Sequence, residues 1–172
     1  NKADSMVMAV VVFGQLKEAI KNGEPYVAQL KQLKKITADK EEVQEIIARL
    51  EIHSEIGTIT LAQLKTKFAP LIKQTIADKS ENIFLKTLHK FIVIRRVGEQ
   101  RGDDDESILA RAEMKLAQGD LSAALQEISQ LSPPAQEVLA GWVGGAHLWI
   151  LTQKNIDKLQ LLLTQIEPTQ QP

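Results

Sequence analysis

FIVIRRVGEQRGDDDESILARAEMKLAQGDLSAALQEISQLSPPAQEVLAGW, residues 91–142, carries the clearest helix starts and stops in the chain. It opens as an apolar, basic helix end, crosses a charged turn, and becomes two short helices followed by the start of a third. Asp104 or Asp105 can cap the first, and Asp105 and Glu106 suit the exposed N–H groups of its first turn. Ile108, Leu109, Ala112 and Leu116 give that helix one apolar stripe. Gly119 ends it, Asp120 caps the next, and Leu121, Ala124, Leu125, Ile128 and Leu131 form a second stripe. Ser132 and Pro133-Pro134 stop that helix and start another, because proline is tolerated only in a helix's first turn. The pattern predicts an all-α fold of short antiparallel helical hairpins packed as an irregular bundle, with tetratricopeptide-like local pairing. On these stripes Ile108, Leu109, Leu116 and Leu125 are candidates for partner binding or self-association, with Trp142, Trp149, Leu159 and Leu163 beyond them.

The whole composition agrees with helices. Of the 172 residues 44% are hydrophobic but only 4% aromatic, so the core has to be aliphatic, mostly Leu, Ile and Ala. The length allows one fair-sized core or a small domain with an accessory arm. The absence of cysteine removes disulfides, thiolate nucleophiles and cysteine-bound metals. A chain beginning at Asn1 is expected to be a fragment of something longer, with any anchor upstream of it. The longest apolar run, Met6 to Phe13, falls far short of the roughly 20 residues a membrane-spanning helix needs.

Outward from the central stretch, residues 5–21 predict a helix that is apolar on more than one side in its first half, through Val7, Val10, Val11 and Phe13. Asn22-Gly23 ends it, and Pro25 opens a helix carrying Tyr26, Val27, Leu30 and Leu33. A third helix is expected over 37–50, capped by Thr37 or Asp39, with Val43, Ile46, Ile47 and Leu50 inside. His53 to Thr58 is a connector turning at Gly57. Thr60 starts a helix with Leu61, Leu64, Phe68 and Leu71, kinked or divided at Pro70. From Ser80 a periodic stretch sets Ile83, Phe84, Leu88, Phe91 and Ile92 on one face. After Pro134 a long helix is expected to about Thr152, its interior glycines allowing close approach of another helix, with an interruption near Asn155 before a last helix. The regions are therefore 1–58 (N-terminal helical), 59–97 (basic amphipathic), 98–166 (helical, with most of the central stretch) and 167–172 (flexible tail).

Charge is distributed unevenly beneath a net of -1. Residues 1–101 carry 17 Lys/Arg against 12 Asp/Glu, and residues 102–172 carry 4 against 10. Within 62–96 there are 8 basic and 2 acidic residues, so this segment wants an anionic neighbour. Phe84, Leu88 and Phe91 would lie in the headgroup region of a membrane while Lys86, Lys90, Arg95 and Arg96 meet lipid phosphates. The alternative is that this apolar face belongs to the core and the lysines form its solvated edge. Nucleic acid is a poor fit, since no stacking aromatics alternate with the basic residues.

No catalytic site, cofactor site or metal site is expected. Asp103-Asp104-Asp105-Glu106 lacks the alternating ligand spacing of a calcium loop and reads as a capping turn. His53, His89 and His147 are scattered, and no glycine-rich phosphate loop follows a strand.

Ile94-Arg95-Arg96-Val97-Gly98-Glu99, Gly102-Asp103-Asp104 and Ile108-Leu109-Ala110-Arg111-Ala112-Glu113 together resemble the C-terminal signature domain of the mitofilin family, in its alphaproteobacterial form. The likeness continues through Leu116-Ala117-Gln118-Gly119-Asp120-Leu121-Ser122-Ala123-Ala124-Leu125 and the Leu131, Pro133, Ala135 and Trp142 positions. Asp105 departs from the proline that bacterial members often carry there. The resemblance implies a non-enzymatic, membrane-organising protein anchored in the inner membrane by an upstream helix, with this portion in the periplasm. It further implies a lipid-binding region over about 62–93, contact with outer-membrane barrel-assembly proteins, and a possible homodimer. The alternative reading is a pure protein-interaction and oligomerisation scaffold without lipid binding.

Overall fold

The structure, a computed structural model, describes residues 2–81 and 102–165. Among these residues the fold is all-α, with seven helices in chain order: α1 (Lys2–Asn22), α2 (Val27–Ile36), α3 (Glu41–Glu51), α4 (Leu61–Glu81), α5 (Asp105–Ala117), α6 (Leu121–Ile128) and α7 (Pro133–Thr164). They divide into two compact units. Unit 1 holds residues 1–60 and 147–172, and unit 2 holds 61–146.

In unit 1, α1 meets α2 and α2 meets α3. The inward side of α1 (Ala9, Val12, Phe13, Leu16, Ala19, Ile20) forms one buried cluster with Leu30 and Leu33 of α2, the stripe of α3, and Ile156, Leu159 and Leu163 of α7. Large side chains fully buried in this way each contribute about 1.5–3 kcal/mol. Gly23, at φ +72°, ends α1 in the left-handed conformation. The Gly23 N–H reaches Ile20 O and the Glu24 N–H reaches Ala19 O, which satisfies the last carbonyls of the helix. Tyr26 then ties the turn to the far end of α3: its N–H donates to Ser54 O at 2.9 Å and its hydroxyl to Leu50 O at 3.1 Å. Burial pushes the Tyr26 phenol above its ordinary value of 10.0.

Gly57 is needed for a second reason. Its φ is +77°, and a Cβ there would stand 2.8 Å from the Gly23 carbonyl carbon and 2.9 Å from Glu24 O. Only glycine lets these two turns touch.

In unit 2, α5 meets α6 and α4 meets α5. Phe68 lies 4.7 Å, ring centre to ring centre, from Trp142, whose indole N–H donates to Leu64 O at 2.9 Å. Leu64, Ile108, Leu109, Leu121, Ala124, Ile128, Leu131 and Leu139 are buried alongside.

Several expectations change. No tetratricopeptide-like repeat is discernible among the described residues, because a third helix packs on α2 whereas on the α5–α6 side α4 packs on α5. The helix α3 starts at Glu41 with Lys40 as a cap that offers no side-chain bond. Thr37 instead closes α2: its N–H and hydroxyl both donate to Leu33 O, and Gln44 donates to its carbonyl and its hydroxyl oxygen. The helix α4 runs unbroken through Pro70. The helix α7 is also unbroken through Asn155, which is a mildly unfavourable helix residue but not a breaker. A Cβ on Gly141 or Gly144 would meet nothing within 4 Å, so neither glycine marks a close helix contact.

Candidate interaction surface

The 102–132 region of unit 2 is a local construction of polar ties. Asp104 caps α5, accepting from Ser107 N–H at 3.0 Å and from the Ser107 hydroxyl at 2.9 Å. These two bonds hold the Asp104 carboxyl below its ordinary value of 3.8. Asp105 turns inward, 5% exposed, and accepts from the backbone N–H of Ser132 at 2.8 Å and from its hydroxyl. The residue that starts α5 is thus bonded to the residue that precedes α7. Arg111 pairs with Glu127 at 2.8 Å, with both side chains largely covered, and also donates to Gly102 O at 2.7 Å. Gly119, at φ +86°, and the Asp120 side chain, accepting from Ala123 N–H at 2.8 Å, form the junction between α5 and α6.

This frame decides where the residues expected to bind a partner lie. Ile108, Leu109, Leu116 and Trp142 are buried in unit 2, and Leu159 and Leu163 are buried in unit 1. Leu125 and Trp149 are half-buried. The expected lipid contacts, Phe84, Lys86, Leu88, Lys90, Phe91, Arg95 and Arg96, lie outside the described residues, as do the tail 167–172 and the periodic stretch beyond Glu81.

Apolar surface that remains uncovered gathers elsewhere. Among the described residues the exposed large hydrophobic ones are Val7, Met8, Val10, Val11, Ile52, Ile56, Ile76, Met114, Leu151 and Leu161. Eight of these ten belong to unit 1, all but Ile76 and Met114. On α1, Val7, Val10 and Val11 are 66%, 54% and 51% exposed and occupy the side opposite the buried one.

The second feature is an open groove of about 580 Å³ between α2 and the end of α3 with its following turn. Val27, Leu30 and Lys31 line it from α2, and Glu51, Ile52, Ser54, Glu55 and Ile56 from the other side. Sequence reading treated 53–58 as a plain connector and missed these residues. The available signal was a pair of isoleucines four positions apart in a polar turn, where solvation alone would not place them.

Among the described residues no group of three or more His, Asp or Glu side chains is disposed to hold a metal ion. No described helix is long and apolar enough to cross a membrane.

Residues 85–161 match the Mitofilin family model, described as a mitochondrial inner membrane protein. The chain is 28% identical over 148 residues to a MICOS complex subunit mic60 of Neurospora crassa, covering 79% of this chain and 21% of that protein. It is 29% identical over 166 residues to a MICOS complex subunit MIC60 of Phaeosphaeria nodorum, covering 91% of this chain and 26% of the relative. A Sclerotinia sclerotiorum relative of the same name is 27% identical over 146 residues, 78% and 22%. The chain therefore spans only about a fifth to a quarter of the length of these relatives. No solved structure matches it. The likeness to mitofilin stands, but its alphaproteobacterial form and the periplasmic location drawn from it are corrected. The relatives are fungal MICOS subunits, and the family model describes a mitochondrial inner membrane protein.

Proposed function

We propose that this chain is a non-enzymatic protein-interaction module of a membrane-organising scaffold, working through apolar surface on unit 1. The observation that carries this reading is the concentration of uncovered aliphatic side chains there. Val7, Val10 and Val11 lie together on one side of α1, and an exposed apolar side of this kind marks a binding face, whereas singly scattered residues need no explanation. The similarity to MICOS subunits supplies the setting, an assembly of several proteins at a membrane. By the mitofilin resemblance, outer-membrane barrel-assembly proteins and a second copy of the chain are candidate partners.

The test mixes the purified chain with subunits of the Neurospora crassa MICOS complex apart from mic60, each purified separately. Saturable binding to at least one subunit is expected. Replacing Val7→Lys together with Val11→Lys is expected to weaken it while leaving the circular dichroism spectrum unchanged, since neither valine is in the core. A chain that binds none of the subunits would sink the reading.

A second reading, contact with an anionic membrane surface, is favoured by the basic composition of 62–96, within which Lys65, Lys67 and Lys73 are exposed on α4. Phe84, Leu88 and Phe91 would enter the headgroup region beside Lys86, Lys90, Arg95 and Arg96. It expects flotation with anionic vesicles that declines with salt and on neutralising those four cations. Equal flotation with neutral vesicles rules out the electrostatic mechanism.

A further inference from the structure

Of the four asparagines in the chain, Asn1, Asn22, Asn82 and Asn155, only Asn22 is followed by glycine. That dipeptide has a chemistry of its own. A backbone amide nitrogen that loses its proton can attack the side-chain carbonyl carbon of the asparagine before it, and glycine puts no Cβ in the way of the attack. Asn22 is exposed at the last position of α1, and Gly23 follows it at φ +72°. Asn155, by contrast, is 7% exposed within α7 and is followed by the β-branched Ile156.

The folded turn opposes the attack in two ways. Asn22 keeps helical backbone angles, and closing a ring onto its side chain needs a rotation about its Cα–C bond that carries it out of the helix. The attacking nitrogen is also occupied, since the Gly23 N–H donates to Ile20 O at 3.1 Å, beside the Glu24 N–H bond to Ala19 O at 2.9 Å. On its other side the Gly23 carbonyl is hemmed in by Gly57. The reaction therefore starts from a locally opened turn, and its rate follows how often the turn opens.

We propose that Asn22-Gly23 is a self-modification site, protected by the folded turn of unit 1 and converted to aspartate or isoaspartate when that turn opens, with water as the only co-reactant. The Gly23 nitrogen, its proton lost to solvent, bonds to Asn22 Cγ. The Cγ–Nδ2 bond breaks, ammonia leaves with a proton taken back from solvent, and a cyclic imide remains. Water then adds to one of the two imide carbonyls. Breaking the bond from nitrogen to Cγ gives aspartate on an unchanged backbone. Breaking the bond from nitrogen to the main-chain carbonyl carbon gives isoaspartate, whose backbone runs through Cβ and Cγ and is one carbon longer. Both products place a new carboxylate at the C-terminal end of α1, where the helix dipole disfavours negative charge. Only isoaspartate also lengthens the path into Gly23, whose carbonyl has no room to shift toward Gly57. A brief opening of the turn thereby becomes permanent, at the end of the helix that carries the exposed valines.

The experiment incubates the full 172-residue chain in mildly alkaline buffer, folded and in unfolding urea, and follows residue 22 by peptide mass spectrometry. Conversion at Asn22 is expected in both states and should be about tenfold or more slower in the folded one, with Asn155 lagging in each. Gly57→Ala, which crowds the Gly23 carbonyl, should raise the folded-state rate. Urea below the unfolding transition should raise it as well, and gives the same reading where that variant does not fold. The isoaspartyl form, separated by chromatography, is expected to melt below Asn22→Asp, which carries the same charge on a normal backbone. Asn22→Gln keeps an amide one carbon too far for the ring, so it should melt with the parent chain and lose the conversion. Equal rates in the folded and unfolded chain, no conversion at Asn22 in urea, or an isoaspartyl form as stable as Asn22→Asp overturns the proposal.

Discussion

Asp105 and Ser132 show how much a single buried polar pair decides. The carboxylate is covered and accepts both the N–H and the hydroxyl of Ser132, so removing it strands two donors. Asp105→Ala is expected to cost roughly 1–3 kcal/mol, and Ser132→Ala less, because the backbone N–H bond survives. Urea midpoints measure both, and the double variant should cost less than the sum. Asp104 behaves differently because it titrates. Its carboxyl is lower in the folded chain than its ordinary 3.8, so its contribution is present above about pH 4 and is lost as pH falls through the lowered value. Asp104→Asn keeps an acceptor for Ser107 and should flatten that acid dependence of the melting temperature, whereas Asp104→Ala should lose about 0.5–2 kcal/mol at neutral pH.

The helix ends that the sequence reveals are those written in local backbone chemistry. Gly119 with Asp120, and Asp104, act within a turn of themselves and do what their residue types predict, whereas Ser132 before the two prolines turns its hydroxyl to Asp105, far back in the chain. Thr37 misleads because two helices compete for it: its own hydroxyl turns back to Leu33 O, and Gln44 of the following helix takes its other side. The glycines of α7 mislead in another way. A run of small residues suggests a tight contact, yet Gly141 and Gly144 face open space. Gly141→Ala and Gly144→Ala should therefore each raise stability by about 0.5–1 kcal/mol. Gly57→Ala should lower it, since the added carbon meets the Gly23 backbone and φ is positive. Thermal melts of the three single variants give the signs directly.

At the scale of the molecule, the all-α class and the aliphatic core were readable from composition and periodicity, but the use of each apolar face was not. The two apolar sides of α1 look alike in the sequence. Phe13 and Leu16 share one buried cluster with Ile156, Leu159 and Leu163 from far along the chain, and Val7 and Val11 are left outside it. An apolar stripe marks a partner-binding residue and a core residue alike, and most of the candidate partner residues are inside. The touching turns at Gly23 and Gly57 carry one more implication. Loops ordinarily absorb insertions, but here an added residue in either turn would separate backbones that lie in contact and unseat Tyr26 from Ser54. The lengths of two connectors far apart in sequence are thereby locked together, and length variation has freer passage at Gly119, around which there is room.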